Sequence, residues 1–424
     1  MRATFSSFRV RNYRLFAAGQ VVSLTGTWMQ VVGQDWLVLS LGGHGLALGI
    51  ITALQFMPII VIGMYGGMIA DRYPKRTILL CTATAAGLLA ALMFVLVATG
   101  VARLWMVGVL ALALGVVTAF DMPTRQSFTV EMVGPADLVN AVSLNSATFN
   151  AARILGPACA GLIIATVGIA PVFAVNALSY IAVIFGLRAM RVADLRPSHR
   201  LERGRGQLRE AVSYVAGRRE LLLPVLLVGT LGMFAFNSQI TLALMARDVF
   251  GRSAGTYGLL SSALALGALI GALLSARRGR PRVLLLVVSA ILFGVMEMLV
   301  GIAPNIALFA LLLVPMGILM ITFAASANAI VQLNAGEEIR GRVMALYSLV
   351  FLGGTPIGAP IIGWLAQRFG ARSGLILGGL ASVVATVLIT ALVHRRASQE
   401  AVRHPRDLAR GLRSAVGATS DAVH

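Results

Sequence analysis

Long apolar stretches follow one another along most of the chain, separated by short polar or glycine-containing connections. A helix of about 20 residues crosses the hydrocarbon layer of a bilayer. Since backbone in lipid must satisfy its own hydrogen bonds, each stretch predicts a membrane-spanning helix. Twelve such stretches lie at residues 15–41, 46–69, 77–99, 104–122, 139–167, 171–190, 221–246, 256–276, 283–303, 306–332, 342–366 and 372–394. The pattern predicts an all-α integral membrane protein.

A polar, arginine-rich segment separates the first six stretches from the last six. The sequence therefore predicts four regions, namely a first half at 1–190, a cytoplasmic linker at 191–220, a second half at 221–394 and a basic cytoplasmic tail at 395–424. Within the linker, Leu208, Val212 and Val215 recur at helical spacing. This spacing predicts a short amphipathic helix lying on the inner membrane face.

Composition and charge agree with this class of protein. Hydrophobic residues make up 58% of the chain, charged residues make up 12%, and the mean hydropathy is +0.87, which excludes a soluble globular protein. If both termini lie on one side, most of the 35 Lys and Arg residues lie on that side too. The exceptions are Arg103, Arg153, Arg247, Arg252, Arg368 and Arg372. This asymmetry predicts that both termini are cytoplasmic.

The net charge of +19 raises the question of partners. The basic clusters lie beside predicted membrane spans, where we expect them to face anionic lipid. No aromatic residues interleave with these clusters to stack on bases, so nucleic-acid binding is not favoured.

One short motif gives a family resemblance. Between the second and third stretches the chain reads Gly-Met-Ile-Ala-Asp-Arg-Tyr-Pro-Lys-Arg, in which the matching positions are Gly67, Asp71, Arg72, Lys75 and Arg76. They resemble the Gly-x-x-x-Asp-Arg-x-Gly-Arg-Lys signature of the major facilitator superfamily, with Pro74 in place of the inner glycine. The resemblance implies two pseudo-symmetric halves of six helices each.

A partial copy of this motif follows the eighth stretch. Gly271 corresponds to Gly67, and a basic end is present at Arg277 and Arg278. Ser275 stands where Asp71 would be, so the acid of the motif is present in one half only. A same-orientation repeat of this kind is expected of the superfamily's two halves.

Three further segments, 119–127, 150–157 and 340–344, resemble a bacterial exporter branch that includes the enterobactin exporter and macrolide-efflux proteins. The resemblance implies export. Together with the acids in the predicted spans, it leads us to predict proton-coupled export of amphipathic small molecules, either drug-like compounds or siderophores, by alternating access. We also predict a monomer without a cofactor in the bacterial cytoplasmic (inner) membrane. A passive facilitator or an uptake permease of the same fold are alternatives, and a non-transporting membrane receptor is another.

The resemblance also implies roles for the motif residues. Asp71 would hold the amino-terminal end of the helix that begins near 341, and Lys75 or Arg76 would pair with Asp121. These contacts would latch the outward-facing state. In the alternative interpretation the basic residues Arg72, Lys75 and Arg76 only enforce the topology.

Two acids lie within predicted spans, where a carboxylate is costly and is kept mostly where it faces a cavity or a partner. Asp35, at the end of the first stretch, is a candidate proton carrier, because removal from water makes protonation of a carboxyl group easier. A wet structural carboxylate near the outer surface is the alternative. Glu297, in the ninth stretch, is the second candidate, for which a structural hydrogen bond to a neighbouring helix is favoured.

Several polar residues in spans are candidates for the cargo cavity. Gln20, Ser23, Thr27, Gln30 and Gln34 form a stripe along the first span. The candidates drawn from this stripe and from other spans are Thr27, Gln30, Gln34, Arg153, Asn237 and Gln239. For Arg153, helix packing is an equally good interpretation, and its function would be to bind an anionic cargo or to neutralise a carboxylate.

The fifth stretch contains Gly156, Pro157 and Gly161, a fragment of the antiporter signature that predicts a bend. Enzyme chemistry has little support. The chain has no phosphate-binding loop, and its histidines lie outside the span interiors, which argues against a metal site or a catalytic triad.

Overall fold

A bundle of long helices makes up the protein. The computed structural model describes residues 6–196, 207–278 and 282–403. The first half contains α1 (Arg11–Ser40), α2 (Gly45–Arg72), α3 (Lys75–Ala98), α4 (Leu104–Thr166) and α5 (Ala170–Arg188). After the linker helix α6 (Gln207–Ala216) come α7 (Arg219–Phe234), α8 (Ser238–Leu244), α9 (Ala254–Arg277), α10 (Val283–Gly301), α11 (Ile306–Asn334), α12 (Arg340–Phe369) and α13 (Ala371–Arg403). Short 3₁₀ turns occupy Ser6–Arg9 and Val192–Asp194, and a π-helical turn occupies Met245–Val249.

Eleven helices in the described part of the chain are long and apolar enough to cross a membrane, and one of them, α4, is long enough for two crossings. Helix α4 has 63 residues and is interrupted at Gly134, whose φ of 71° lies in the left-handed region. The interruption separates a fourth crossing from a fifth. The described part of the chain therefore makes twelve crossings, which confirms the predicted fold class.

The position of this turn differs from the prediction. The apolar pattern placed a connection at residues 123–138, whereas helix α4 continues through Pro123 as far as Gly134. Proline is tolerated within membrane helices when surrounding packing supports the backbone. Glycine reaches a positive φ without strain, so the change of direction occurs at Gly134.

The seventh crossing is also less regular than predicted. The continuous helix expected over 221–246 is interrupted between α7 and α8, where the backbone N–H groups of Ala235 and Phe236 both donate to the carbonyl of Leu231. The ring of Phe236 packs against Phe293 and Phe351 at centroid distances of 5.6 and 5.7 Å. The interruption places this ring in the interior of the second half.

The two halves use the same helix pairs for close packing. In the first half, a methyl group on Gly66 would lie 2.2 Å from the carbonyl oxygen of Ala119, so α2 and α4 touch there. In the second half, a methyl group on Gly271 would lie 2.7 Å from the carbonyl oxygen of Ile318, so α9 and α11 touch. Small residues permit such approaches between membrane helices. The equivalent contacts agree with the repeat that the two motif copies predicted.

We call the two ends of the bundle the basic side, which carries most of the arginines at the helix ends, and the far side, which is opposite. The basic side is where α1 begins at Arg11 and α2 ends at Arg72, and the far side is where α1 ends at Ser40. On the far side α2 of the first half meets α12 of the second, and a methyl group on Gly363 would lie 2.1 Å from the carbonyl oxygen of Gly45. Backbone contact this close seals the far side of the bundle.

The linker helix α6 docks on the second half. Its Ala211 and Val215 are buried, and Glu210 accepts a hydrogen bond of 2.6 Å from Arg342 at the start of α12. Leu208 and Val212, from the predicted apolar face, remain exposed. Residues 404–424, which include most of the predicted basic tail, lie outside the described residues.

Candidate functional site

A hydrogen bond between the two halves holds Asp35. The phenol of Tyr257, in the first turn of α9, donates to the Asp35 carboxylate of α1 over 2.6 Å. The two residues are 7% and 0% exposed. Sequence reasoning identified Asp35 but not Tyr257, because the partner lies 222 positions away in the other half and its identity depends on how the halves meet.

Further polar contacts join the halves around this pair. The guanidinium of Arg247 donates to the carbonyl oxygen of Leu39 over 2.9 Å and also pairs with Asp248 at 2.6 Å. Nearer the surface, the backbone N–H of Leu46 donates to the side chain of Gln367. These contacts lie towards the far side, where they reinforce the close approach of α2 and α12.

The polar stripe on α1 makes contacts within the first half. Gln30 accepts a hydrogen bond of 2.6 Å from Asn176 of α5, and the Gln34 amide donates to Gln55 of α2 over 3.2 Å. The hydroxyl of Thr27 donates to a carbonyl of its own helix. Polar groups removed from water need such partners. In this structure Gln30 and Gln34 are buried and Thr27 is half-buried, and the role of the three as cavity residues stays a prediction.

The fifth crossing, which is the part of α4 after Gly134, contacts α1 on one side and α9 on another. Gly156 faces α1, since a methyl group there would lie 2.5 Å from the Cβ of Trp28. Gly161 faces α9, since a methyl group there would lie 3.0 Å from Gly255. The Ile154 carbonyl accepts a hydrogen bond from Ser262 of α9 on the same side. Two faces of this helix lie between its contacts with α1 and its contacts with α9, and we call them its free faces.

One free face of this crossing points to lipid. Leu155, Cys159 and Leu162 recur at helical spacing in the half nearer the far side, and all three are exposed. At the level of Cys159 and Leu162 the two halves touch, since a methyl group on Gly258 would lie 2.3 Å from the carbonyl oxygen of Pro157. Exposure there therefore means contact with the hydrocarbon of the membrane.

The opposite free face points into the space between the halves. Val139, Val142, Phe149 and Arg153 recur along it at spacings typical of one helix face. Val139 is 79% exposed near the basic side, whereas further along the same face Pro157 is buried against α9. This decrease in exposure along the helix indicates a cavity that opens to the basic side and closes towards the far side.

Arg153 lies within this cavity face. It is half-buried, and no hydrogen bond or ion pair joins it to any other described residue. One turn away, the ring of Phe149 packs edge-on against the indole of Trp28, with centroids 5.7 Å apart. Arg153 and Phe149 thus share one helix face, and the indole of Trp28 from α1 lies against Phe149.

The signature residues lie at the basic side, where Lys75 and Arg76 contact their own half. Lys75 pairs with Glu131 of α4 at 2.5 Å, and Arg76 donates to the carbonyl oxygen of Leu187 over 2.6 Å. Gly67 is buried, Asp71 is half-buried and Arg72 is exposed.

Asp121 has different partners from those predicted. Among the described residues, it accepts a 2.9 Å hydrogen bond from Arg125, one turn along α4, and another of 2.9 Å from Thr82. The pairing of Asp121 with Lys75 or Arg76 was expected in the outward-facing state, and it stays a prediction for that state. The nearer cation of the same helix satisfies the carboxylate. Sequence reasoning missed Glu131 and Arg125 because both lie in the segment that it assigned to a connection.

The candidates of the second half lie apart from the cavity wall formed by the fifth crossing. Glu297 is buried on α10, which packs on α11 and α13 of its own half, and one of its carboxyl oxygens has no partner among the described residues. Asn237 is buried just before α8, and its amide donates to the carbonyl oxygen of Met233. Gln239 is half-buried in α8.

The predicted bend residues serve as contact points. Pro157 and Gly161 meet α9, where a methyl group on Gly258 would lie 2.3 Å from the carbonyl oxygen of Pro157. Gly156 meets α1 on the other side of the helix. Small residues at these positions let one helix approach both halves closely.

In the described part of the chain, twelve crossings form two similar halves that touch at the far side and leave an exposed helix face between them at the basic side. This is the architecture of a membrane transporter of the major facilitator fold. Residues 2–415 match the sequence profile of the transmembrane secretion effectors, and the chain belongs to this family of the major facilitator superfamily. This result confirms the resemblance that the sequence motifs gave.

Curated relatives of similar length include three exporters or transporters. The staphyloferrin A transporter of Staphylococcus aureus is 23% identical over 88% of this chain and 94% of its own. Macrolide efflux protein A of Streptococcus pyogenes is 24% identical over the same shares of the two chains. The multidrug efflux pump Tap of Mycolicibacterium fortuitum is 27% identical over 85% of this chain and 90% of its own.

Solved structures agree on the fold. A bacterial homologue of the human lysosomal transporter Spinster, in an inward-facing and occupied conformation, superposes with a TM-score of 0.72 at 14% identity, covering 91% of this chain and 97% of its own. The nucleoside transporter NupG superposes with a TM-score of 0.67 at 14% identity, covering 92% and 99%. At this identity the likeness shows the fold alone.

Proposed function

We propose that this protein is a proton-coupled exporter of amphipathic small molecules that works by alternating access between its two halves. The observation that carries the proposal is the buried hydrogen bond from Tyr257 to Asp35, which joins the halves on the closed far side. Relatives named for a siderophore, for macrolides and for multiple drugs support the cargo class.

The proposed orientation places the basic side in the cytoplasm, so that the chain is in its inward-facing state. The distribution of Lys and Arg supports this orientation. The exposed apolar side chains of Leu208 and Val212 on α6 then face the inner leaflet, where neighbouring arginines attract anionic lipid. The transporter works as a monomer and needs no cofactor.

In this mechanism Asp35 exchanges its proton as the far side opens and closes. Opening separates α1 from α9, so Asp35 loses the phenol of Tyr257 and meets water from which it takes a proton. Closing restores the phenol, and a donated hydrogen bond stabilises the ionised form of a carboxyl group. The proton then leaves to the basic side. One charge crossing 100 mV supplies about 2.3 kcal/mol, which is enough to drive cargo outwards.

Transport in proteoliposomes tests this coupling. A panel of siderophores, macrolides and cationic drugs is offered with an imposed pH gradient that is acid on the far side. The wild type is expected to accumulate at least one of them on the acid side. Asp35→Asn is expected to lose this accumulation but to keep counterflow exchange, because an amide carries no exchangeable proton at that step.

Two matched variants locate the coupling group. Tyr257→Phe keeps the ring and removes only the donor, so we expect weakened coupling with counterflow intact. Glu297→Gln is expected to keep gradient-driven transport, because Glu297 lies on α10 within the second half. Intact coupling in Asp35→Asn together with lost coupling in Glu297→Gln would move the role to Glu297. Intact coupling in both variants would refute a proton carried by either acid.

A further inference from the structure

Arg153 is a charged side chain well inside the membrane, and it has no partner among the described residues. It lies thirteen residues before the far end of α4 at Thr166, which corresponds to roughly 20 Å along the helix. A charge at such a depth is expensive and is kept where it meets a cavity or a counter-charge. The exposed helix face between the halves indicates a cavity, and no counter-charge contacts Arg153 among the described residues.

The intramembrane carboxyl groups are engaged or placed elsewhere. Asp35 is held by Tyr257 at the far-side closure. Asp121 is paired with Arg125 on the earlier crossing of α4. Glu297 lies on α10, which packs within the second half. The guanidinium of Arg153 therefore remains available to a molecule that enters the cavity.

The surroundings of Arg153 suit a particular kind of molecule. Phe149 lies one turn before it on the same face, and long side chains in a helix lean back towards the preceding turn. From this tendency we expect the guanidinium to reach towards the side that holds Phe149 and Trp28, whose rings are packed edge to face. Aromatic rings offer a flat apolar surface, and a guanidinium binds a carboxylate through two parallel hydrogen bonds.

We propose that Arg153, Phe149 and Trp28 form a cargo site for amphipathic anions, that is, for molecules with a carboxylate or similar acidic group on a flat apolar body. This assignment rests on the proposed function as a small-molecule exporter and specifies the charge of its cargo. It separates the preferred cargo from cationic drugs, which a lone arginine repels.

Equilibrium binding of three probes with one dansyl body tests the site. Dansylglycine is an anion, dansylglycinamide is its neutral counterpart and dansylcadaverine is a cation. Each is titrated into the full chain in nanodiscs of neutral lipid at uniform pH, and energy transfer from tryptophan to dansyl is measured against empty nanodiscs. The wild type is expected to bind dansylglycine at least about tenfold more tightly than dansylglycinamide, as a charge-assisted hydrogen bond allows.

Variants assign this preference to one side chain. Arg153→Gln is expected to lose the tenfold preference while binding dansylglycinamide as before, and Arg153→Lys to keep part of it. Arg103→Gln, which removes an exposed arginine before α4, is the matched control and should behave as wild type. Equal binding of all three probes, tighter binding of the cation, absence of saturable binding, or an equal loss of all probes in Arg153→Gln would each overturn the proposal.

These outcomes are separate from the test of proton coupling. No pH gradient is present, so Asp35→Asn is expected to show the wild-type preference for dansylglycine. A chain that binds the anion but lacks gradient-driven transport would refute the coupling and keep the site. A chain with coupling intact and no anion preference would refute the site alone.

Discussion

Lys75 is the only lysine of the chain, and it is nearly buried at the basic side. Its ammonium group lies 2.5 Å from the Glu131 carboxylate, and the two side chains are 8% and 12% exposed. Removing one partner of a buried pair leaves an uncompensated charge, which costs more than the pair contributes. The basic end of the signature motif therefore fixes α3 against α4, in addition to any effect on topology.

The first prediction follows from this pair. Lys75→Met is expected to destabilise the protein by about 3 kcal/mol, because Glu131 stays buried with its charge less compensated. The double variant Lys75→Met/Glu131→Gln should recover much of this loss. Denaturant unfolding of the purified protein in mild detergent measures both. A single variant as stable as the wild type would show that the pair contributes little to the fold.

Single residues were predicted more easily than their partners. The cost of charge in lipid identifies Asp35 and Arg153 as unusual from the sequence alone. Their environments depend on which helices meet across the molecule, and for Asp35 the decisive neighbour is Tyr257 in the other half. Glu131 was missed for a different reason, since its segment is polar enough to be taken for a connection although it is helical.

At the scale of elements, the bilayer makes the number and length of the helices predictable. A fixed hydrocarbon thickness requires about 20 apolar residues for each crossing, whatever the tertiary contacts. The points where helices turn or break have no such constraint. Helix α4 continues beyond the apolar stretch to Gly134, and the seventh crossing is interrupted after Phe234. Hydropathy predicted neither position, because local packing and backbone conformation decide both.

The second prediction concerns this turn. Gly134→Ala is expected to destabilise the protein by about 1–2 kcal/mol from the left-handed conformation alone. The added methyl group would also lie 2.5 Å from the guanidinium of Arg196. Thermal unfolding with a reporter dye compares it with Gly341→Ala, a helical position with nothing within 4 Å. The two variants are expected to differ clearly, and equal melting temperatures would contradict the assigned role of Gly134.

At the scale of the whole molecule, the far side is closed by backbone contact between helices of different halves. The two contacts follow the repeat, since α2 meets α12 at Gly45 and Gly363, and the fifth crossing meets α9 at Pro157 and Gly258. Alternating access requires both contacts to separate when the far side opens. The glycines thus determine the stability of the state that is closed to the far side. The sequence alone did not show which of the two states they stabilise.

The last prediction tests this role on one helix. A methyl group on Gly49 of α2 would lie 2.4 Å from the carbonyl oxygen of Ala359, so α2 and α12 would have to move apart. Forced repacking of this kind typically costs 1–3 kcal/mol, so Gly49→Ala should raise the population open to the far side by at least about fivefold. Gly63→Ala is the matched control on the same helix, since nothing lies within 4 Å of a methyl group there.

A reporter cysteine makes this shift measurable. In a background with Cys81→Ser and Cys159→Ser, the variant Leu39→Cys places a thiol at a buried position beside the far-side closure. A membrane-impermeant maleimide added from the far side reacts with it only when that side opens. Labelling should become faster in Gly49→Ala and stay unchanged in Gly63→Ala. Equal rates in both variants would mean that α2 and α12 do not hold the closed state, and the seal would then have to be assigned to α9 and the fifth crossing.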